Sequence, residues 1–406
     1  MSALSSKRRR FAATAAIFAT TIVGLSIGGT DTGAKAQLVP PVVPDVASWQ
    51  QFVLAVTPSG TPGKVAYETF ASDQDIYVSN PCPTPTPSSG CNAPTWPSAT
   101  ATSTKALQRS LLGTAHARAA MQRRGKFTVE VIGPAQGCGT PSGLNQAAKG
   151  SGFPASGCIG EEVRRDRPSF DYLVANELWS TSGLAQYYAT KQPVSLPWNT
   201  LEVKADWIPV STLATWLGKP QSFVTANFYT STANVGNGPP TTYAMTSMHL
   251  MVKSPGFPDW VWANFENAYV PGRCDLTGCT DSFGAQKAYV PPNPKSWGQY
   301  GACPKTPAVS AMMTQANVAP VFANYCMTGS QSAFTANGSP TLLGSPVIET
   351  LNANVPLAQS SCISCHAGAS FNASGTPGPV NETIGPNAPP SGYTGYDLMW
   401  GVLFAQ

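Results

Sequence analysis

The chain has 406 residues, of which 42% are hydrophobic and 11% are charged, a balance that excludes a solvated, disordered protein. Its 37 glycines and 38 prolines follow no three-residue period, which excludes collagen and argues against long uninterrupted helices. The formal net charge of +4 comes from a basic N-terminus, because the residues after 36 hold as many acids as bases; a nucleic-acid partner is not expected.

Residues 1–36 have the three parts of a secretory signal peptide. Lys7–Arg10 are basic, Phe11–Gly28 are apolar, and Ala34-Lys35-Ala36 is a small-residue cleavage site. An uncleaved membrane anchor is the alternative, but threonines and a serine interrupt the apolar stretch. Residues 8–11 also partly resemble a twin-arginine signal, so the export route stays open. We expect a periplasmic protein with no stable membrane span after cleavage.

The periodicity of apolar residues predicts a mixture of helices and strands. In chain order, the predicted elements are a helix over Trp49–Val56, a helix over Lys105–Arg124, a strand over Phe127–Ile132, a helix over Glu161–Trp179, strands over Leu201–Ile208, Ser222–Ser231 and Tyr243–Val252, and helices over Trp260–Ala268 and Ala311–Tyr325. Glycine- and proline-rich text between these elements predicts long loops. The fold class we expect is α+β, with much irregular structure tied by disulfides.

Ten cysteines follow the leader, and eight of them suit a disulfide framework in an exported chain. Sequence alone cannot fix the pairing of eight cysteines, so we predict pairs of sequence neighbours. These pairs are Cys82–Cys91, Cys138–Cys158, Cys274–Cys279 and Cys303–Cys326. A zinc cluster is the alternative, but the eight lack paired CxxC spacing.

The other two cysteines belong to the segment Cys362-Ile-Ser-Cys365-His366, which has the CxxCH spacing of covalent haem attachment. Two thiols on one helical turn can each join a haem vinyl group, and the following histidine can bind the iron. We therefore predict one haem c, with Cys362 and Cys365 as thioether residues and His366 as the proximal iron ligand. A thioredoxin-like CxxC disulfide and half of a zinc site are the alternatives.

The motif lies close to the end of the chain, unlike in a small soluble cytochrome. Fewer than 60 residues are too few to enclose a haem alone, so the upstream chain is expected to supply the other wall. We predict a signal peptide over residues 1–36, a large exported domain over 37–350, and a C-terminal haem c-binding segment over 351–406 packed on that domain.

The CxxCH segment resembles the c-type cytochromes. Two upstream stretches, Leu201–Trp207 and Met248–Glu266, also resemble a loosely described group of exported bacterial proteins, the periplasmic cytochrome c family proteins. This resemblance implies haem binding in the periplasm and says little about a substrate.

The sixth iron ligand is open at this point, because the chain has only three histidines. His249 ranks first, Met399 second and an open iron third, whereas His116 lies on an arginine-rich predicted helix and is expected to be exposed. His249 is alternatively an ordinary core imidazole. On a regular strand, Met245, Ser247, His249 and Met251 would share one face. The soft ligands of this segment, Met245, Met248, His249 and Met251, also permit a copper site, although methionines more often fill cores.

Two further groups of residues have both a functional and a structural interpretation. Glu202, Lys204 and Asp206 form one side of a predicted strand, where Lys204 would pair with a haem propionate or an acidic partner, or simply face solvent. Four aromatic residues are predicted to line a haem pocket or to belong to the core. They are Trp260, Trp262, Phe265 and Trp297.

The sequence favours an exported single-haem c-type cytochrome that transfers electrons to or from a periplasmic redox partner protein. The alternative is a haem c-dependent oxidoreductase, resembling a peroxidase or an oxidase, that acts at an open iron. A weaker alternative is a haem- or copper-binding module. No Walker, Rossmann or nucleophile-elbow motif supports a nucleotide-binding or hydrolytic enzyme.

Overall fold

A computed structural model describes most of the chain after the leader, within one compact unit, Pro40–Gln406. The described residues are 43–82, 90–97, 132–133, 137–138, 150–154, 157, 159–233, 240–285, 297–353, 355–380 and 383–405. The predicted signal peptide, the helix predicted over 105–124 with His116, and Cys158 of the predicted Cys138–Cys158 pair lie outside these residues, as does the strand predicted over Phe127–Ile132 except for Ile132. The predicted division near residue 350 stays a prediction.

Thirteen strands occur in the described part of the chain, and seven of them form the main sheet. They are β1 Ala71–Ser72, β2 Ile132–Gly133, β3 Gly137–Cys138, β4 Gly160–Arg165, β5 Leu201–Pro209, β6 Thr230–Ala233, β7 Thr241–Val252, β8 Val261–Asn267, β9 Tyr325–Gln331, β10 Thr335–Ala336, β11 Ser339–Pro340, β12 Ser370–Asn372 and β13 Tyr393–Gly395. The main sheet has the order β1-β4-β5-β7-β8-β9, with β6 also paired to β7, and its described ladders are antiparallel.

The helices are short, as the glycine and proline content predicts. They are α1 Pro44–Val56, α2 Asp73–Ile76, α3 Arg167–Ala175, α4 Thr181–Ala189, α5 Val210–Leu217, α6 Gln221–Asn227, α7 Pro307–Gln315 and α8 Cys362–His366, with 3₁₀ turns at Ala66–Thr69, Pro320–Asn324, Leu357–Gln359 and Trp400–Phe404 and a π-helix at Pro346–Ala353. Side-chain oxygens of Asp166, Ser180 and Thr306 cap α3, α4 and α7 by accepting a backbone N–H of the first turn.

One side of the main sheet, here called the helix face, carries the largest apolar core. Val203, Ala205 and Trp207 of β5 belong to this core, together with residues of α1 and α7. Phe52 of α1 stacks on Phe265 of β8 with ring centroids 4.2 Å apart. Burial of these rings stabilises the fold by the usual hydrophobic effect and holds α1 on the sheet.

The opposite side of the sheet, here called the polar face, is unusual because its central residues are mostly charged or polar. They are Glu202, Lys204 and Asp206 of β5, Ser247, His249 and Met251 of β7, and Trp262, Asn264 and Glu266 of β8. The C-terminal segment covers this face: the amide of Asn264 donates to Gly344 O at 3.4 Å, and that of Gln331 donates to Ser361 Oγ at 2.9 Å.

The structure confirms the α+β class and several predicted elements. The strands predicted over Leu201–Ile208 and Tyr243–Val252 lie within β5 and β7, and the helix predicted over Trp49–Val56 lies within α1. Strand β5 alternates between an apolar and a polar side, so the period of its sequence matches its structure.

Three predicted elements differ from the structure in part or in whole. The helix predicted over Glu161–Trp179 is confirmed over α3, Arg167–Ala175, but its first residues form strand β4, where Glu162 and Arg164 form a buried ion pair. The helix predicted over Trp260–Ala268 is strand β8, which is buried on both sides and therefore shows no alternation. The strand predicted over Ser222–Ser231 is α6 up to Asn227, and only its end belongs to β6.

The helix predicted over Ala311–Tyr325 is also broken. Helix α7 ends at Gln315, a 3₁₀ turn follows at Pro320–Asn324, and Tyr325 opens strand β9. Pro320 begins the turn, which is where a residue without an N–H is tolerated.

A bulge in β7 changes which residues share a face. Asp206 pairs with Ser247, but Trp207 pairs with Met245, so Thr246 is the extra residue. Met245 therefore belongs to the helix-face core together with Met248. The expectation that Met245 shares a face with Ser247, His249 and Met251 is wrong for Met245.

Three of the predicted disulfides are confirmed: Cys82–Cys91, Cys274–Cys279 and Cys303–Cys326. Each closes a loop between irregular segments or ties such a loop to β9, so these bonds support the regions where secondary structure is sparse. None of the helices in the described ranges has the length and apolar character needed to cross a bilayer.

Buried ion pairs near β4 predict a contrast between two arginines. Arg165 is 1% exposed and pairs with Asp73 and Glu202, whereas Arg167 forms a surface pair with Asp171. Arg165→Ala leaves two buried carboxylates without their cation and should lower the free energy of unfolding by about 3–5 kcal/mol. Arg167→Ala should lower it far less, because water and salt screen an exposed pair. Urea unfolding with disulfides intact measures both, and equal effects would contradict the assignment.

Candidate functional site

The CxxCH segment forms helix α8, Cys362–His366, at the edge of the polar face. Gln331 of β9 fixes its start, because its amide donates to Ser361 Oγ and its side-chain oxygen accepts the N–H of Ile363 at 3.0 Å. The hydroxyl of Ser361 also donates to Ser364 Oγ at 2.9 Å. Polar contacts with β9 thus hold this five-residue helix, which is too short to be stable alone.

The two cysteines of α8 lie three residues apart and therefore on one side of the helix. Cys362 is 9% exposed, and Cys365 is half-buried. Neither is among the disulfide-bonded cysteines. Burial, and then the charge of Glu349, raises the pKa of the Cys362 thiol well above its usual value. Cys362 is consequently a protonated thiol at neutral pH.

The imidazole of His366 is held from behind by the C-terminal segment. Its Nδ1 lies 2.7 Å from the carbonyl oxygen of Leu398. Because a carbonyl only accepts hydrogen bonds, Nδ1 carries the proton and Nε2 keeps its lone pair. Burial lowers the pKa of His366, which favours this neutral form. The ring is therefore oriented and protonated as a metal-binding histidine requires.

A second contact joins the same segment to α8. The indole N–H of Trp400 donates to the carbonyl of Cys365 at 3.1 Å. Together with the bond from His366 to Leu398, it fixes residues 398–400 against the last turn of the helix. Met399 between them is fully buried in the cluster that also contains Cys362 and Ile363.

His249 lies on the polar face and is electrostatically coupled to His366. Burial, followed by the positive charge of Lys204 and the repulsion between the protonated forms of His249 and His366, holds the pKa of His249 well below its usual value. Its Nδ1 is 3.7 Å from Glu349 Oε1, an electrostatic contact longer than a hydrogen bond. Its Nε2 is buried and has no hydrogen bond of good geometry among the described residues, although Asn264 lies beside it on β8.

Of the four aromatic residues predicted to line a haem pocket, the structure places two near α8. Trp262 has its ring centroid 6.0 Å from that of His366, and Trp260 belongs to the same cluster as Cys362. Phe265 lies on the helix face instead, because it is three positions after Trp262 and successive side chains of a strand alternate between faces. Trp297 contacts Trp216 in a separate cluster.

The polar side of β5 is not a solvated face. Glu202 and Asp206 are buried, and only Lys204 is half-buried. The ammonium of Lys204 pairs with Glu161 Oε2 of β4 at 2.8 Å. Lys204 thus has an acidic partner within the chain, and its charge still acts on both His249 and His366.

The four residues on which a copper site would depend lie on opposite faces of the main sheet. His249 and Met251 lie on the polar face, whereas Met245 and Met248 point into the helix-face core. No group of three or more histidine, cysteine or acidic side chains suited to a metal ion occurs among the residues that the structure describes. The copper interpretation is therefore left with two of its four ligands.

Sequence reasoning missed three groups that shape this site. Leu398 contributes a backbone carbonyl, which leaves no signal in its residue type. Glu349 and Glu266 are acids in otherwise apolar or mixed segments, and they are brought to the polar face by tertiary packing alone. An acid isolated within a strongly apolar strand, as in Glu266, is the one signal that was present in the sequence.

Comparison with known proteins adds no identity. No family model matches the chain, no curated protein matches its sequence, and no solved structure matches its fold.

The buried acid of β8 predicts how stability depends on pH. Burial is the largest cause that raises the pKa of Glu266 from 4.5 to about 8, so the folded protein keeps this proton over a range in which the unfolded chain has released it. The free energy of unfolding should therefore fall as pH rises between these values. Glu266→Gln cannot ionise, and we expect it to exceed the wild type by about 2–4 kcal/mol at about pH 9.

The same pair of proteins at about pH 4 provides the control, because Glu266 is protonated there in both states. The two free energies of unfolding should then agree within about 1 kcal/mol. A variant that keeps the full pH slope of the wild type would show that another group titrates.

Proposed function

We propose that the protein is an exported cytochrome c family protein that transfers electrons through one haem c. Cys362 and Cys365 would hold the haem covalently, and His366 would bind its iron. The observation that carries this proposal is the arrangement of the CxxCH segment. Its two cysteines lie on one turn of a buried helix, and its histidine is bound at Nδ1 to Leu398 O, so that Nε2 is left to coordinate.

The residues around α8 fit such a group in two further respects. The buried N–H of Trp262 has no hydrogen-bond partner in the described ranges, although native proteins rarely leave such a group unpaired. The buried Nε2 of His249 on the adjacent strand has no hydrogen bond of good geometry in the same ranges, although Asn264 lies beside it. Both atoms lie on the polar face beside α8, where a bound group would satisfy them.

A haem c bound here would supply reversible one-electron chemistry between ferric and ferrous iron. The chain's own residues orient His366, keep Cys362 out of water and surround the site with buried aromatic side chains. These functions serve electron transfer, which needs a rigid and shielded centre more than an open cavity.

His249 is the better placed of the two predicted sixth ligands. Its imidazole is kept neutral by burial and by nearby positive charge, and its Nε2 has no other partner of good geometry among the described residues. The backbone at Met399 instead lies beside Leu398, on the Nδ1 side of His366. Glu349 near Nδ1 of His249 resembles the carboxylates that orient metal-bound imidazoles.

The compartment agrees with this function. Three disulfides are typical of an oxidising environment such as the periplasm, where covalent haem attachment takes place. With equal numbers of acids and bases after residue 36, docking to a redox partner should depend weakly on salt.

A haem oxidoreductase working at an open iron is the second function that an observation favours. If His249 does not bind iron, its neutral Nε2 and the N–H of Trp262 form an acceptor and a donor beside the iron. Such a pair could accept a proton from a small ligand bound to the iron and donate a hydrogen bond to it. The two functions differ in whether the iron has a vacant position.

Spectra of three proteins matured in a haem-attaching host distinguish these cases. The wild type should be low-spin, inert to CO and without the near-infrared band of histidine–methionine ligation. His249→Ala should become high-spin and bind CO when reduced, because it loses one axial nitrogen. Met399→Ala, the matched control, should keep the wild-type spectrum.

Each result that differs from these expected spectra has a single interpretation. A wild type that binds CO rapidly would favour the oxidoreductase. An unchanged low-spin spectrum in His249→Ala would remove His249 as a ligand, and a colourless wild type would end the haem proposal.

A further inference from the structure

The turn that carries the carbonyl partner of His366 is conformationally strained. Asp397 and Leu398 have φ of 48° and 62°, both in the left-handed region. They are the only adjacent non-glycine residues with positive φ in the described part of the chain. A leucine in this region costs on the order of 1–2 kcal/mol, so other contacts must hold it there.

The carboxylate of Asp397 supplies those contacts. Its Oδ2 accepts the backbone N–H of Leu196 at 2.6 Å and the ammonium of Lys253 at 2.8 Å. Its Oδ1 accepts the indole N–H of Trp260 at 3.3 Å. These donors come from three separate places in the fold, and the side chains of Asp397 and Lys253 are each 12% exposed. The partly buried charge-assisted bonds are strong enough to offset the strain.

The strained turn determines where the next carbonyl points. In the left-handed conformation, the carbonyl of Leu398 meets His366 Nδ1 at 2.7 Å. An ordinary right-handed or extended conformation at residues 397 and 398 would turn this peptide away and leave Nδ1 without its acceptor. The side chain of Leu398 has no part in the contact.

We propose that Asp397 is a positioning residue, which fixes the Nδ1–H tautomer and the orientation of His366 through the strained turn. Its relevance to iron rests on the proposed function, but the effect on the imidazole does not. Lys253 and Trp260 act with it by holding its carboxylate. The resulting hydrogen bond makes His366 a more basic ligand, which stabilises ferric iron and lowers the reduction potential.

The first test observes His366 in a haem-free chain. The exported Cys362→Ala/Cys365→Ala protein is labelled with ¹⁵N-histidine, and NMR at about pH 8 reports each tautomer, which is feasible because the chain has three histidines. We expect the Nδ1–H form at His366. Adding Asp397→Ala should lower the ratio of Nδ1–H to Nε2–H by about five- to tenfold, the worth of one hydrogen bond.

Two variants separate positioning from a general loss of structure. Asp259→Asn is the control, because the charge of Asp259 interacts with Asp397 but its side chain holds no part of the turn. It should leave the tautomer unchanged. Leu398→Gly keeps the carbonyl and relieves the strain, so it should also keep the Nδ1–H form. If Asp397→Ala does not fold, Asp397→Asn should give a smaller shift in the same direction.

The second readout is the reduction potential of the matured protein, which should rise in the Asp397 variants and stay constant in Asp259→Asn. A folded Asp397→Ala chain with an unchanged His366 tautomer would overturn the proposal, whether or not haem is bound. A shifted tautomer in a protein that never acquires haem would support the positioning role and reject the proposed function instead.

Discussion

Burial of charged and polar side chains on the polar face of the main sheet is the constraint on which the site depends. The polar face places Glu202, Lys204 and Glu266 where most sheets have apolar side chains, and each charge removed from water costs several kcal/mol unless it is paired or neutralised. Glu202 pairs with Arg165, Lys204 pairs with Glu161, and burial keeps Glu266 protonated. An ion pair and hydrogen bonds then hold the C-terminal segment on the sheet: Lys253 pairs with Asp397 at 2.8 Å, and Gln331 binds Ser361 and Ile363 at the start of α8.

The imidazoles of His366 and His249 have similar surroundings in this arrangement. Each has an oxygen near Nδ1, the carbonyl of Leu398 for His366 and the carboxylate of Glu349 for His249. Burial lowers the pKa of both, so both are neutral at physiological pH. His366 is held at Nδ1 by a hydrogen bond, whereas Glu349 acts on His249 only through a longer electrostatic contact. A neutral imidazole of either kind keeps one ring nitrogen with a lone pair that can bind a metal.

The sequence predicts an element correctly where the type of each residue indicates whether its side chain is buried or exposed. Strand β5 keeps an alternating pattern and was predictable, whereas the three confirmed disulfides join sequence neighbours, a pairing that the sequence suggests but does not fix. Strand β4 was not predictable. Charged residues such as Glu162 and Arg164 are typical of a solvent-exposed surface, but here they form a buried ion pair. The bulge at Thr246 and the position of the Leu398 carbonyl are backbone features set by tertiary packing, and no pattern of residue types predicts them.

The central claim is that α8 carries a covalently attached haem, and peptide mapping tests it most directly. The protein is matured in a host that attaches haem c, alkylated under denaturing conditions and digested, and the peptide containing residues 362–366 is weighed. We expect this peptide to carry the mass of one haem, with neither Cys362 nor Cys365 alkylated. The same peptide at its bare mass, with both thiols alkylated, would contradict the claim.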